Sequence, residues 1–99
     1  MLCGGVSSQA KPATAEIQKL VQVVKAEVEE KEGKTFEVFD AVEFKTQLVA
    51  GKNYFIKVLI GNDKYLHLRI YESLPHEKKP PALTSYQSNK EKHEELSYF

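Results

Sequence analysis

The spacing of apolar side chains divides the chain into one helical stretch followed by several strands. Ile17, Leu20, Val21, Val24 and Val28 recur at helical intervals and mark a single apolar stripe. Thr14 stands where an N-cap belongs, Glu16 suits the first turn, and Gly33 reads as the C-terminal stop. These signals predict a helix over residues 14–32. After Gly33 the period changes to two. Phe36, Val38, Val42 and Phe44 form one alternating set, interrupted by Asp40, which marks a bulge or an edge. Tyr54, Ile56, Val58 and Ile60 form a second strand, and Gly61-Asn62-Asp63 is a turn signal. Leu66, Leu68 and Ile70 form a third, with Tyr65, His67, Arg69 and Tyr71 on its other face. Residues 73–81 hold three prolines and read as a loop, residues 82–87 as a fourth strand, and the rest as a charged tail.

An amphipathic helix with one apolar stripe needs one partner surface. An antiparallel sheet supplies that surface on one face and leaves the other in water. The expected fold class is therefore α+β: a four- to five-stranded antiparallel sheet wrapped around one helix. Ninety-nine residues make a single domain, 1–99. Residues 1–11, small, polar and Gly-containing, read as a flexible N-terminal arm.

Charge narrows the function. Fourteen Lys and Arg balance fourteen Asp and Glu, and the dense charge runs mix signs. That pattern argues against nucleic acid, which calls for a basic face. No apolar run approaches the length of a membrane span, and Met1–Gly5 lacks the pattern of a secretory signal. The lone cysteine, Cys3, allows no internal disulfide. The expected location is the cytoplasm, with a nuclear pool left open.

Catalytic chemistry finds little support. Cys3 as nucleophile would need His67, His76 or His93 as base, but it sits in the arm, where no fixed partner lowers its pKa. The three histidines show neither i,i+4 pairing nor cysteine companions, so neither a metal nor any other cofactor is expected. Gly4-Gly5 lacks the remainder of a phosphate-binding loop. What stands out is apolar residues outside the regular elements: Met1-Leu2-Cys3-Gly4, then Leu48-Val49-Ala50-Gly51 at a hairpin, then Leu74-Pro75-His76. The first and last hairpin turns of a meander lie at the same end, which the arm can reach. Leu48 and Leu74 either fold back into the core or form an exposed binding edge.

At these residues the chain resembles the stefins, the disulfide-free branch of the cystatin family. Gln47-Leu48-Val49-Ala50-Gly51 satisfies the family's Gln-x-Val-x-Gly hairpin pattern. The Met-x-Cys-Gly opening, residues 53–58, residues 73–77 and the ending Glu95-Leu96-Ser97-Tyr98-Phe99 extend the likeness to the full length. Leu48 where Val is usual, and Gly5 after Gly4, depart from the commonest form. The resemblance implies reversible, tight inhibition of papain-like cysteine proteases such as cathepsins L, S, H and B, and no enzymatic activity. It places the protease contacts on Met1, Leu2, Cys3 and Gly4, on Gln47, Leu48, Val49, Ala50 and Gly51, and on Leu74, Pro75 and His76. It also implies a monomer, with a domain-swapped dimer through the first hairpin as the other state. The alternative is an interaction protein of the same fold without inhibitory activity.

Overall fold

The computed structural model describes residues 10–49, 51–74 and 78–96, with the side chains of Leu48 and Val49 excepted. The order is β1 (Lys11–Pro12), α1 (Ala15–Glu32), β2 (Asp40–Val49), β3 (Gly51–Gly61), β4 (Lys64–Glu72) and β5 (Ala82–Lys90). The five strands form one sheet in sequence order, each antiparallel to its neighbour. Lys11, assigned from the sequence to the arm, is the first residue of β1 and pairs with Phe44. Pro12, which has no N–H to donate, is tolerated there because β1 is an edge strand.

The helix follows its sequence signals. The Thr14 hydroxyl accepts from the Ile17 N–H at 3.3 Å, and Gly33 ends the helix in the left-handed region at φ 73°. Ile17, Leu20, Val21, Val24 and Val28 are all buried. Four of these five are β-branched, a poor choice for an isolated helix, so α1 depends on packing for its stability. They pack with Tyr54, Ile56 and Val58 of β3 and Leu66, Leu68 and Ile70 of β4 in one core. Glutamine side chains staple the helix to the start of β2. Gln18 donates to the Phe39 carbonyl at 3.1 Å and accepts from the Ala41 N–H at 2.7 Å. At the other end the Tyr86 hydroxyl donates to Glu32 at 2.6 Å, tying β5 to the last turn.

Two expectations from the sequence need correction. The alternation from Phe36 to Phe44 is not one strand. Phe36 and Phe39 enter the core from an irregular segment, their rings stacked 5.5 Å apart, and β2 begins only at Asp40. The register then slips between Ala41 and Glu43. One extra residue inverts the phase of a strand. Ala41 and Phe44 therefore pack against the core, while Val42 is 37% exposed. Its carbonyl instead accepts from the Ala13 N–H at 3.0 Å, which fastens the chain entering α1 to the sheet.

The second correction concerns the sheet's outer face, which is covered rather than left in water. Phe55, Lys57, Tyr65 and His67 point away from the helix, yet all are buried. Residues 91–96, after β5, lie across them as a strap. Lys57 Nζ donates to the Lys92 carbonyl at 2.6 Å and pairs with Glu43 at 3.3 Å. Lys45 Nζ donates to the Leu96 carbonyl at 2.8 Å, and Leu96 itself is 1% exposed. The aliphatic stems of these lysines lie along the sheet while their ammonium groups find carbonyls.

His67 belongs to this covered layer, and its Nε2 has no hydrogen-bond partner among the described residues. Burial, followed by the ammonium groups of Lys57 and Lys90, holds its imidazole down at about 4 from 6.5, against the opposing pull of Glu94. The proton therefore binds the unfolded chain first. Stability should be full above pH 6.5 and fall as pH drops through 6.5 toward about 4, with a loss of about 3 kcal/mol from this group. Denaturant midpoints measured across this window should show that slope in the wild type and a flatter one in His67→Gln; identical slopes would refute the assignment. Leu96→Ala should cost about 2–4 kcal/mol in the same assay, because it uncovers the outer face. A value near zero would show that the strap carries no packing energy.

Candidate functional site

Three parts of the chain lead to one end of the sheet. The first is the hairpin between β2 and β3. Gln47 pairs with Asn53, Leu48 with Lys52 and Val49 with Gly51. The strands thus stay paired almost to the apex, and the apolar residues there are the last rungs of the ladder rather than a separate loop. The second is the exit of β4, where Lys52 is aligned with Glu72, and Ser73 and Leu74 follow. The third is β1. Read backwards from Pro12 to Lys11, it advances from Glu43 to Phe44, toward the hairpin.

Gly51 is where the first two parts meet. It sits at φ 110°, a conformation that side chains other than glycine's rarely accept. A Cβ added there would stand 2.6 Å from the Glu72 carbonyl oxygen and 2.6 Å from the Tyr71 hydroxyl. The first hairpin is thus pressed directly against the residues that launch the second loop. A groove of about 400 Å³ runs between them, lined by Gly51, Lys52, Glu72, Ser73, Leu74, Lys78 and Lys79. Glu72 accepts from the Tyr54 hydroxyl at 3.2 Å, and the Lys52 ammonium lies 5.4 Å from the centre of the Tyr54 ring. Burial first, then the Glu72 charge, push the Tyr54 hydroxyl up to about 12, so it stays protonated and keeps donating.

Of the site residues expected from the sequence, the structure brings Gln47, Leu48, Val49, Gly51 and Leu74 to this end. Leu74 is 36% exposed. Met1, Leu2, Cys3, Gly4, Ala50, Pro75 and His76 lie outside the described residues. The Gln47 side chain turns inward. It is 8% exposed and its Oε1 accepts from the Asn53 amide at 2.7 Å. Asn53, Lys52 and Tyr71 were not singled out from the sequence as site residues. Their importance follows from register, and the signal available was the pairing of Gln47 with the residue two beyond the glycine.

Among the described residues at this end no arrangement resembles an acid–base pair, and the Glu72 carboxylate is engaged by Tyr54. His67 is buried under the strap, and His93 lies exposed beside Glu91. Among the described residues no group of His, Cys, Asp and Glu could hold a metal ion, and no helix is long and apolar enough to cross a membrane. The described residues at this end offer paired backbone, the exposed Leu74 and a groove.

Comparison with known proteins agrees with this geometry. The cystatin domain model matches residues 4–93. The chain is 62% identical to cystatin-B of Bos taurus over 99 residues, covering all of both chains. It is 61% identical to cystatin-B of Ovis aries and 56% identical to cystatin-B of Homo sapiens, again over the full length of each. A stefin-like sequence pattern, a sheet wrapped on one helix, and full-length identity of this order converge on one conclusion: the chain belongs to the cystatin family.

Proposed function

We propose that the chain blocks papain-like cysteine proteases sterically, entering the active-site cleft with a wedge built from Met1–Gly4, Gln47–Gly51 and Leu74–His76. Its identity with cystatin-B proteins along the whole chain supports a cysteine-protease inhibitor and not an enzyme. The observation that supports the wedge is the close approach of Gly51 to Tyr71 and Glu72, which sets the first hairpin beside the end of β4, where the second loop starts.

Aliphatic side chains at this end lose water on entering a peptide-binding cleft, at roughly 25 cal/mol per Å² of apolar area. The stem beneath them is paired to its last rung, so little conformational entropy is lost on docking. No peptide bond of the inhibitor need lie in line with the protease thiolate, so the inhibitor leaves uncut. Cathepsins L, S, H and B are the targets this reading names, in the cytoplasm, with the monomer as the active form. The interface belongs to the standard class, about 1,600 Å² in total.

Titration of papain with a fluorogenic peptide substrate should give stoichiometric inhibition, with intact inhibitor recovered. Recovery of inhibitor cleaved within Gln47–Gly51 would contradict steric blocking. Deleting residues 1–4 should raise the dissociation rate constant roughly tenfold or more, because lost apolar contacts act mainly on k_off. An unchanged rate would remove the arm from the wedge. Val49→Asp should abolish tight inhibition while circular dichroism still reports the folded sheet; unfolding instead would make Val49 a core residue.

A further inference from the structure

A loop that must enter a cleft needs a fixed shape, and the first hairpin has unusual support beneath it. On the outer face Gln47, Asn53 and Tyr71 occupy one row across β2, β3 and β4. Gln47 and Asn53 are 8% and 5% exposed, although they lie within a few residues of the apex. Their side chains join in a buried hydrogen bond of 2.7 Å. Tyr71 continues the row and reaches past it. Its hydroxyl and Cζ lie 2.6 Å and 2.9 Å from where a Gly51 Cβ would stand, so the far end of the ring abuts the glycine two rungs on. The Glu72 carbonyl closes on the same point.

We propose that Gln47, Asn53 and Tyr71 are positioning residues for inhibition, a bracket that fixes the first hairpin in its binding shape and against the second loop without touching the protease. The inference rests on the wedge reading above and deepens it. It moves Gln47 from the contact surface to the support. A buried amide pair has few alternative arrangements, because breaking it leaves polar groups unsatisfied away from water. The Tyr71 ring adds a steric stop: the hairpin cannot tilt toward β4, where the ring already fills the space over Gly51. Without the bracket the hairpin samples shapes that do not fit the cleft. Apparent affinity then falls by the fraction of molecules still competent.

This predicts a kinetic signature that differs from loss of a contact. Removing a contact residue raises k_off. Removing a support lowers the competent fraction before encounter, so k_on falls and k_off stays near its wild-type value. Stopped-flow association with papain should show Tyr71→Ala lowering k_on about tenfold, with the thermal midpoint used to confirm a folded protein. Tyr71→Phe, which keeps the ring on Gly51, should restore most of the rate. Gln47→Ala and Asn53→Ala should each slow association, and the double variant should be no slower than either single variant. A rise in k_off at unchanged k_on would make Tyr71 a contact residue and overturn the proposal, as would additive losses at Gln47 and Asn53. Amide hydrogen exchange of the free protein gives a reading without any protease. Exchange across Leu48–Lys52 should speed up in Tyr71→Ala and in Asn53→Ala, and unchanged exchange would overturn the bracket. Should the wild type fail to inhibit papain, the wedge reading falls, while the exchange result still decides whether the bracket exists.

Discussion

At Gly51 there is no room for a side chain, and the geometry of this end of the sheet follows from that. The Glu72 carbonyl and the Tyr71 hydroxyl occupy the space a Cβ would take. The first hairpin and the exit of β4 can approach this closely only because glycine lacks that atom and accepts a φ of 110°. The contact sets the first hairpin beside the exit of β4, so that the two form one edge. The ladder that ends with Val49 paired to Gly51 is thus set from the side by β4.

Such an edge is useful only if the strands behind it do not bend. Here the sheet is held from both faces. The helix covers one, with Gln18 bridging the helix and the start of β2. The strap covers the other, with Lys57 and Lys45 holding its carbonyls and Leu96 filling the space between. Lys57, Lys45 and His67 bring polar groups into a covered layer, which is costly unless they are paired. Lys57 and Lys45 are satisfied by carbonyls, and Lys57 also by Glu43. His67 avoids the cost of a buried charge by staying neutral. The layer therefore contributes packing near neutral pH.

The sequence made the helix and most of the sheet readable because local chemistry decides them. Thr14, Gly33 and the five-residue apolar stripe each act within one or two turns, and Gly61-Asn62-Asp63 specifies its turn alone: Asn62 and Asp63 both adopt positive φ. Asp40 signalled a bulge or an edge, but the place of the bulge at Val42 was hidden, because a one-residue slip leaves the apolar alternation intact while inverting its meaning. The strap was hidden because its bonds run from lysine side chains to backbone carbonyls far along the chain, and a charged tail looks the same whether it is solvated or docked. The apolar stretch Tyr54-Phe55-Ile56, which breaks strict alternation, was the one local sign of a second covered face. The role proposed for the hairpin rests on the family pattern around Gln47–Gly51, not on periodicity. The inward turn of Gln47 depends on register with Asn53, which no pattern of single residues encodes.

The central claim is that one end of the sheet, and neither of its faces, meets the protease. Hydrogen-exchange footprinting of the complex with active-site-blocked papain tests it most directly. New protection confined to residues 47–52 and 73–79 and the chain ahead of β1, with α1 and the strap unchanged, is the result this account predicts. Protection spread over the exposed face of α1 or over residues 91–96, with the hairpin exchanging as in the free protein, would contradict it.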